Sequence, residues 1–391
     1  MNGPLTGIRV LDLTINVLGP LCAQILGDMG AEVIKIETPD GDPMRSSGPY
    51  NNPGMASLFM NTNRNKRSVV LNLKTTAGIE ALYRLSEKAD VFIHSLRPQA
   101  AERLGISYAA IKQRNVNIIY AYAPGYKPDG PNWNRPAFDD VIQGESGIAG
   151  MNGHSTGEPR YIPMIIADKF CGHVLASAIG MALFSRERTG IGQEVIVPMM
   201  ETMLSFNLVE HLWTDFFSES SKELGYPRMF SPHRKPYATK DGHICILAVS
   251  DDQWRRLFKV IDRPELISDE KFSSLQSRTK NINDLYSILA ESVTTKTTAE
   301  WQRLLDEADL PNGVVTKLKE MRNNKYLSET KFFHHYQHPT EGGMVTTSIP
   351  VNFSETPGSI RLPPPRLGEH TEFALQEIGY TDIEIKALNQ H

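Results

Sequence analysis

Ile8-Arg9-Val10-Leu11-Asp12-Leu13, a loop from Thr14 to Gly19, a segment from Pro20 to Met29 closed by Gly30, then Glu32-Val33-Ile34-Lys35-Ile36-Glu37: this succession decides the fold class. The first hexapeptide is a β-rich run, and Pro20 suits the opening turn of a helix that Gly30 stops. The second hexapeptide is another strand, ended by Pro39-Asp40-Gly41-Asp42. Two parallel strands joined by a helix form a right-handed βαβ unit. The alternation continues outward. Ser68 to Leu73 reads as a strand, Thr75 or Thr76 caps a helix reaching about Lys88, and Ala89 to His94 is the next strand. A helix begins near Ser107, with Tyr108, Ile111 and Val116 on its apolar side, and Asn117 to Ala123 follows as a strand. Glu194 to Val197 and Met203 to Phe217 add one more strand and helix. Repeated β-then-α segments predict a parallel sheet covered on both faces.

After about residue 220 the character changes. Asp241-Gly242 between β-rich runs predicts a hairpin, and helical segments follow around Trp254, Leu285 and Trp301. The expected architecture is therefore α/β: a Rossmann-like parallel-sheet large domain over 1–224, a smaller α+β domain over 225–325, and a return to the large domain over 326–391. Strand-like material recurs at Gly343 to Thr347, and a proline-rich approach leads into a terminal helix.

Composition narrows the function classes. In 391 residues, hydrophobic side chains make up 40%, charged ones 22%, and the net charge is −4, which describes a globular chain with no nucleic-acid footprint. The first residues have no cationic region followed by an apolar segment, and no run approaches the roughly 18 apolar residues of a membrane span. Cys22, Cys171 and Cys245 are far apart and never form a C-x-x-C pair, so a reducing, cytoplasmic setting is expected. The Thr14–Pro20 loop has one glycine rather than the three of a dinucleotide fingerprint, and NAD or FAD is not expected.

Candidate chemistry centres on Ile162-Pro163-Met164-Ile165-Ile166-Ala167-Asp168-Lys169-Phe170-Cys171-Gly172. A short apolar run ends in a carboxylate, and a helix of small residues runs on to Arg186, Arg188 and Gly190. Asp168 sits at the helix start, where the macrodipole favours its anion. It is either an N-cap or a poised nucleophile. Gly144-Glu145-Ser146-Gly147-Ile148 misses the nucleophile-elbow pattern at its last glycine. His334-His335-Tyr336-Gln337-His338 has no acidic or cysteine ligand beside it, so it reads as packed or solvated histidine and no metal is expected. Arg64, Lys66 and Arg67 ahead of one strand, Lys74 at its end, and Arg97 and Arg103 after another suggest a phosphate-bearing ligand at strand ends.

These residues resemble the class III (CaiB/BaiF) coenzyme A transferases. The resemblance lies in Leu5 to Leu13 with Gly19-Pro20, Gly30 to Glu37, Asn63 to Ser68, Leu71 to Lys74, Phe138-Asp139 with Gln143, Ala167-Asp168, Pro236-Tyr237 and Leu367 to Thr371. It spans nearly the whole chain. It implies an interlocked homodimer whose substrates are an acyl-CoA and a small carboxylic acid, with no tightly bound cofactor. It places the catalytic carboxylate at Asp168, forming an aspartyl anhydride and then an aspartyl-CoA thioester. It puts Leu71, Lys74, Ser95, Leu96 and Arg103 on coenzyme A. Two departures bear on substrate: Val17 stands where formyl-CoA transferases carry a glutamine, and their glycine-rich loop has no counterpart near 246–253. Racemases of the same fold carry a histidine where this chain has Phe138, which cannot exchange a proton. A CoA-binding protein without turnover is the remaining alternative. Loop position marks Arg45, Asn16 and His154 as candidate contacts to a dicarboxylate acceptor, with a solvated surface position as the other reading of Arg45.

Overall fold

The computed structural model describes residues 3–154, 157–217 and 223–388. They divide into two compact units: 1–152, 160–207 and 331–391 in the larger, 153–159 and 208–330 in the smaller. The sequence-based boundary at 224 thus falls inside the smaller unit. The division lies within the helix Met199–His211, which carries no glycine or proline to mark it.

The larger unit is built on a six-stranded sheet. Its strands are β1 (Arg9–Leu13), β2 (Glu32–Glu37), β3 (Lys66–Val70), β4 (Val91–His94), β5 (Ile119–Tyr122) and β6 (Glu194–Ile196). Their order is β3-β2-β1-β4-β5-β6, and every pairing is parallel. The chain runs outward from β1 to β3, then returns to β4 on the other side of β1. The β1/β4 junction is therefore a topological switch point, whose carboxyl edge opens a crevice.

Successive side chains in each strand face opposite layers. On one face Val10, Val33, Ile93 and Ala121 pack with α1 (Leu18–Asp28) and with a long helix described below, through Cys22, Leu26, Cys171 and Leu175. On the other, Leu11, Ile34, Phe92 and Tyr120 pack with α2 (Thr76–Glu87) and with Ala374 and Leu375 of a C-terminal helix. Thr75 is the cap of α2, its Oγ1 accepting the Gly78 N–H at 3.1 Å. The helix expected near Ser107 is Tyr108–Arg114, and Val116 lies beyond it, 65% exposed rather than packed. Short helices escaped the sequence reading, among them Pro98–Arg103, α3 (Asp139–Glu145) and Ile148–Gly153. Six or seven residues give too few turns for a clear apolar stripe.

Helix α4 (Ile166–Thr189) ends at Gly190 in the left-handed conformation. By length and apolar composition alone it is long enough to cross a membrane. Its Ala167, Cys171, Leu175, Ile179 and Leu183 are instead buried in the core under the sheet. A Cβ on Gly172 would lie 2.7 Å from the Leu18 carbonyl oxygen, so glycine is what lets α4 cross α1 this closely. Gly19 plays the same part against Thr14, where a Cβ would meet the Thr14 Cβ at 2.3 Å.

A buried ionic network ties β1, β2 and β3 together, and it revises the reading of the basic residues. Lys66 is fully buried inside β3, donating to Asp12 Oδ2, the Pro20 carbonyl and Asn63 Oδ1, each at 2.8 Å. Burial pushes the Lys66 ammonium down to about 8. Burial alone would raise Asp12, but Lys66 and Lys35 outweigh it and hold the carboxyl below its usual range. Arg64 pairs with Asp28 at 2.7 Å, and Arg67 with Glu32 at the start of β2. Lys66 and Arg64 neutralise buried carboxylates, Arg67 pairs with a half-buried one, and none of the three is at the carboxyl edge. Arg45 is buried as well, forked onto Glu37 at 2.7 and 2.8 Å, so neither the acceptor-contact nor the solvated reading holds. Desolvated carboxylates demanded partners, and the nearest arginines and lysines supplied them.

The smaller unit has a three-stranded antiparallel sheet of β7 (Tyr237–Ala238), β8 (His243–Ile246) and β9 (Asn312–Val314). The hairpin expected at Asp241-Gly242 forms, with the Thr239 N–H donating to the Gly242 carbonyl at 3.0 Å. Trp254, Phe258, Leu285 and Trp301 fill its core, and the Trp301 indole N–H reaches the Val293 carbonyl at 2.7 Å. His154 belongs to this unit and packs edge-on against Phe230.

Back in the larger unit, β10 (Phe333–His338) and β11 (Gly342–Thr347) form an antiparallel ribbon. The histidine stretch is β10 itself: His334 and His335 are exposed, while buried His338 bonds the Pro364 carbonyl at 2.9 Å. Helix α5 (Thr371–Glu377) joins the second core layer, together with Ile385 of the helix Asp382–Leu388 that follows it.

Candidate active site

At the switch point the sheet edge opens into a cavity of about 420 Å³, within the range that holds a small-molecule ligand. Ile15 and Asn16 after β1, His94 to Arg97 at the end of β4, Ala123 to Gly125 after β5, Arg135 to Phe138 and Asp168 line it. A second cavity of about 370 Å³ lies along the β1, β2 and β3 ends, lined by Leu13, Ile36, Leu73, Lys74 and Leu104 among others. Ile15 and Leu96 line both, so the two share a wall.

The buried network shapes that wall. Lys35 Nζ donates to the Thr14 carbonyl at 2.7 Å and pairs with Asp42 at 3.0 Å. Asp42 Oδ1 in turn accepts the Asn16 N–H at 3.2 Å. Asn16 stands at φ 67°, a left-handed conformation that asparagine tolerates better than most residues. The charges under the sheet thus hold the first loop in a strained turn facing the ligand space.

Asp168 is the third residue of α4, and the cap position is Ile165, which offers no side-chain acceptor. The N-cap reading of Asp168 therefore does not apply. Nor does the helix terminus keep this carboxyl in the ordinary range. Burial, seconded by the neighbouring Asp139 charge, pushes it up to about 7. Desolvation and like-charge repulsion outweigh the helix dipole, whose effect at one terminus is modest. Asp168 is thus a poorly solvated carboxylate near half-ionisation at neutral pH.

The other residues proposed from sequence spread around this centre. Ser95 and Leu96 line the first cavity, and the Ser95 Oγ accepts the Ile15 N–H at 3.1 Å. Lys74 is exposed on the rim of the second. Leu71 lines neither of these two cavities. Its N–H still bonds the Glu37 carbonyl at 2.9 Å, its side chain lies in the core, and the turn that follows brings Leu73 to the cavity instead. Arg103 is exposed in the last turn of its short helix, next to the cavity-lining Leu104.

Several residues here had no role assigned from sequence, although Asp139 and Gln143 were among those that carry the family resemblance. Arg135 lines the cavity and pairs with Glu145 at 2.7 Å. His94 lines it too, its Nδ1 accepting the Leu96 N–H at 3.1 Å while burial pushes the imidazole down to about 3. Asp139 accepts the Asp168 N–H at 3.0 Å, and Gln143 donates to Asp139 at 2.6 Å. The spacing of Asp139 and Gln143, four apart with the acid in a first helical turn, is the signal that would have linked them.

The sequence model of CoA-transferase family III matches residues 5–371. The chain belongs to that family. It is an enzyme of the CoA-transferase class, acting in acyl-CoA metabolism. Among its relatives is a probable fatty acyl-CoA transferase of Mycobacterium tuberculosis, 33% identical over 94% of this chain and 96% of that protein. The succinyl-CoA:glutarate CoA-transferase of Mus musculus is 30% identical over 96% of this chain and 86% of its own length. A crystal structure of the mycobacterial protein superposes with a TM-score of 0.83 at 32% identity, covering 95% of this chain and 99% of that one. The parallel-sheet architecture is thus that of the solved CoA-transferase family III folds.

Proposed function

We propose that this family III enzyme moves coenzyme A from an acyl-CoA to a carboxylic acid through covalent adducts on Asp168. The observation that carries the reading is Asp168 itself: a carboxylate on the wall of the switch-point cavity, desolvated and relieved of capping duty. Ionised Asp168 attacks the thioester carbonyl. An oxygen–carbon bond forms, the carbon–sulfur bond breaks, and CoA leaves as thiolate with an aspartyl anhydride behind it. The thiolate then attacks the aspartyl carbonyl, which releases the donor acid and leaves an aspartyl-CoA thioester. The acceptor carboxylate attacks that thioester and expels the thiolate. The thiolate finally takes the acceptor acyl group and frees Asp168. No proton is consumed, and each step exchanges one activated acyl for another. The apolar second cavity with Lys74 at its rim suits the nucleotide end of coenzyme A, and Ser95 and Leu96 its passage to the first.

The racemase alternative needs a second base opposite Asp168. Phe138 occupies the cavity where that base would stand, and His94, pushed down to about 3, does not take up a proton near neutrality. We further propose a homodimer, supported by Met181, Phe184 and Ile191, which lie on and just after α4 and are 72%, 66% and 66% exposed. Three free cysteines support a reducing, cytoplasmic setting.

The test is intact-mass spectrometry after incubation with succinyl-CoA and a panel of carboxylic acids, wild type beside Asp168→Ala. An adduct on wild type alone, with CoA appearing on one acid, supports the transfer and names its acceptor. Deuterium wash-in at the α-carbon of a branched acyl-CoA, with no adduct, would overturn it in favour of the racemase.

A further inference from the structure

The first backbone N–H groups of any α-helix lack intrahelical acceptors and need outside ones. At the start of α4 the local candidate is Ile165, which has no acceptor side chain. The Asp168 N–H is instead taken by Asp139 Oδ1, reaching across from α3 at 3.0 Å. The other Asp139 oxygen accepts from Gln143 Nε2 at 2.6 Å. Gln143 also donates to the Met164 carbonyl at 3.1 Å and accepts the Ile162 N–H at 2.9 Å. Two side chains one helical turn apart thus hold the segment entering α4 at residues 162, 164 and 168. Both are buried, Asp139 8% and Gln143 1% exposed.

We propose that Asp139 and Gln143 are positioning residues for the nucleophile: they cap α4 in place of Asp168, fix its entry segment, and set a standing negative charge beside its carboxylate. The proposal rests on the reading of Asp168 as nucleophile. A carboxylate that capped its own helix would have an oxygen committed to backbone N–H groups, stabilised as an anion and slower to attack. With Asp139 taking the cap, no side chain or backbone group among the described residues donates to the Asp168 carboxylate. The adjacent anion also favours any step that consumes the Asp168 charge, as anhydride formation does. Other ionisable groups around the cavity do not duplicate this. Arg135 is paired with Glu145, Arg97 is bonded to the Asn134 carbonyl, and His94 is neutral. Cys171, one turn along α4, is pushed up to about 12 by burial and the two carboxylates and stays a thiol.

The experiment compares wild type, Asp139→Asn, Asp139→Glu and Gln143→Leu as full chains. One readout is the titration of the Asp168 carboxyl by ¹³C NMR, assigned with Asp168→Asn. Another is hydrogen exchange at the Ile162 and Asp168 amides, and a third is the adduct-formation rate with succinyl-CoA. In Asp139→Asn the Asp168 midpoint should fall from about 7 toward the ordinary carboxylate range, while Asp139→Glu restores it in part. Adduct formation should slow by about 10- to 100-fold with coenzyme A affinity unchanged. In Gln143→Leu the two amides should exchange faster. An unmoved midpoint together with unchanged exchange would overturn the clamp. Because titration and exchange need no turnover, absence of any wild-type adduct would count against the nucleophile reading alone.

Discussion

At Asp168 burial and the Asp139 charge pull against the helix terminus, and they win, with the carboxyl pushed up to about 7. Two outcomes follow at the scale of this residue. Attack requires the anion, so single-turnover adduct formation should climb with pH through about 7 and level off above it. The folded protein also binds this proton more tightly than the unfolded chain between the ordinary 3.8 and about 7. Stability should therefore fall as pH rises through that window, with the cost complete above it. Asp168→Asn removes the cost. It should raise the thermal midpoint at pH 8 by an amount worth about 2 kcal/mol after allowance for partial solvent access, and the gain should vanish near pH 4. A variant equal to wild type at pH 8 would show that the carboxylate is well solvated. The identity of Asp168 as a candidate was legible in the sequence. Its raised affinity for a proton was not, because it comes first from burial and then from the charge of Asp139, 29 positions away in the chain.

At the scale of elements, α4 shows what small residues decide. Gly172 lies against the Leu18 carbonyl, whereas nothing lies within 4 Å of a Cβ placed on Gly180. Gly172→Ala should destabilise the fold by about 1–3 kcal/mol by forcing α1 and α4 apart. Gly180→Ala should stabilise it by up to about 1 kcal/mol through helix propensity alone. Urea denaturation of the two variants reads opposite signs from one chemical change in one helix. Equal signs would mean that the crossing at Gly172 yields. The strands were legible as short runs rich in β-branched residues, and the long helices from their length and from the glycines that stop them, Gly30 and Gly190. The short α3 was not, although it carries both residues that hold the entry to α4.

At the scale of the whole molecule, the apolar residues left exposed on and after α4 make self-association measurable. Sedimentation should give twice the chain mass, and Met181→Glu with Phe184→Glu should shift it toward a single chain. A wild-type monomer at micromolar concentration would remove the homodimer from the proposal. The alternation of strand and helix, the missing phosphate-binding glycines and the run ending in Asp168 were set by the sequence alone, because local propensity and spacing act over a few residues. The use of the cations was set by tertiary structure. Arg45, Arg64 and Lys66 have the same sequence appearance as Lys74, yet those three are drawn to buried carboxylates while Lys74 remains at the cavity rim. Pairing of charges depends on which carboxylates the fold desolvates, and that is known only once the strands have been placed side by side.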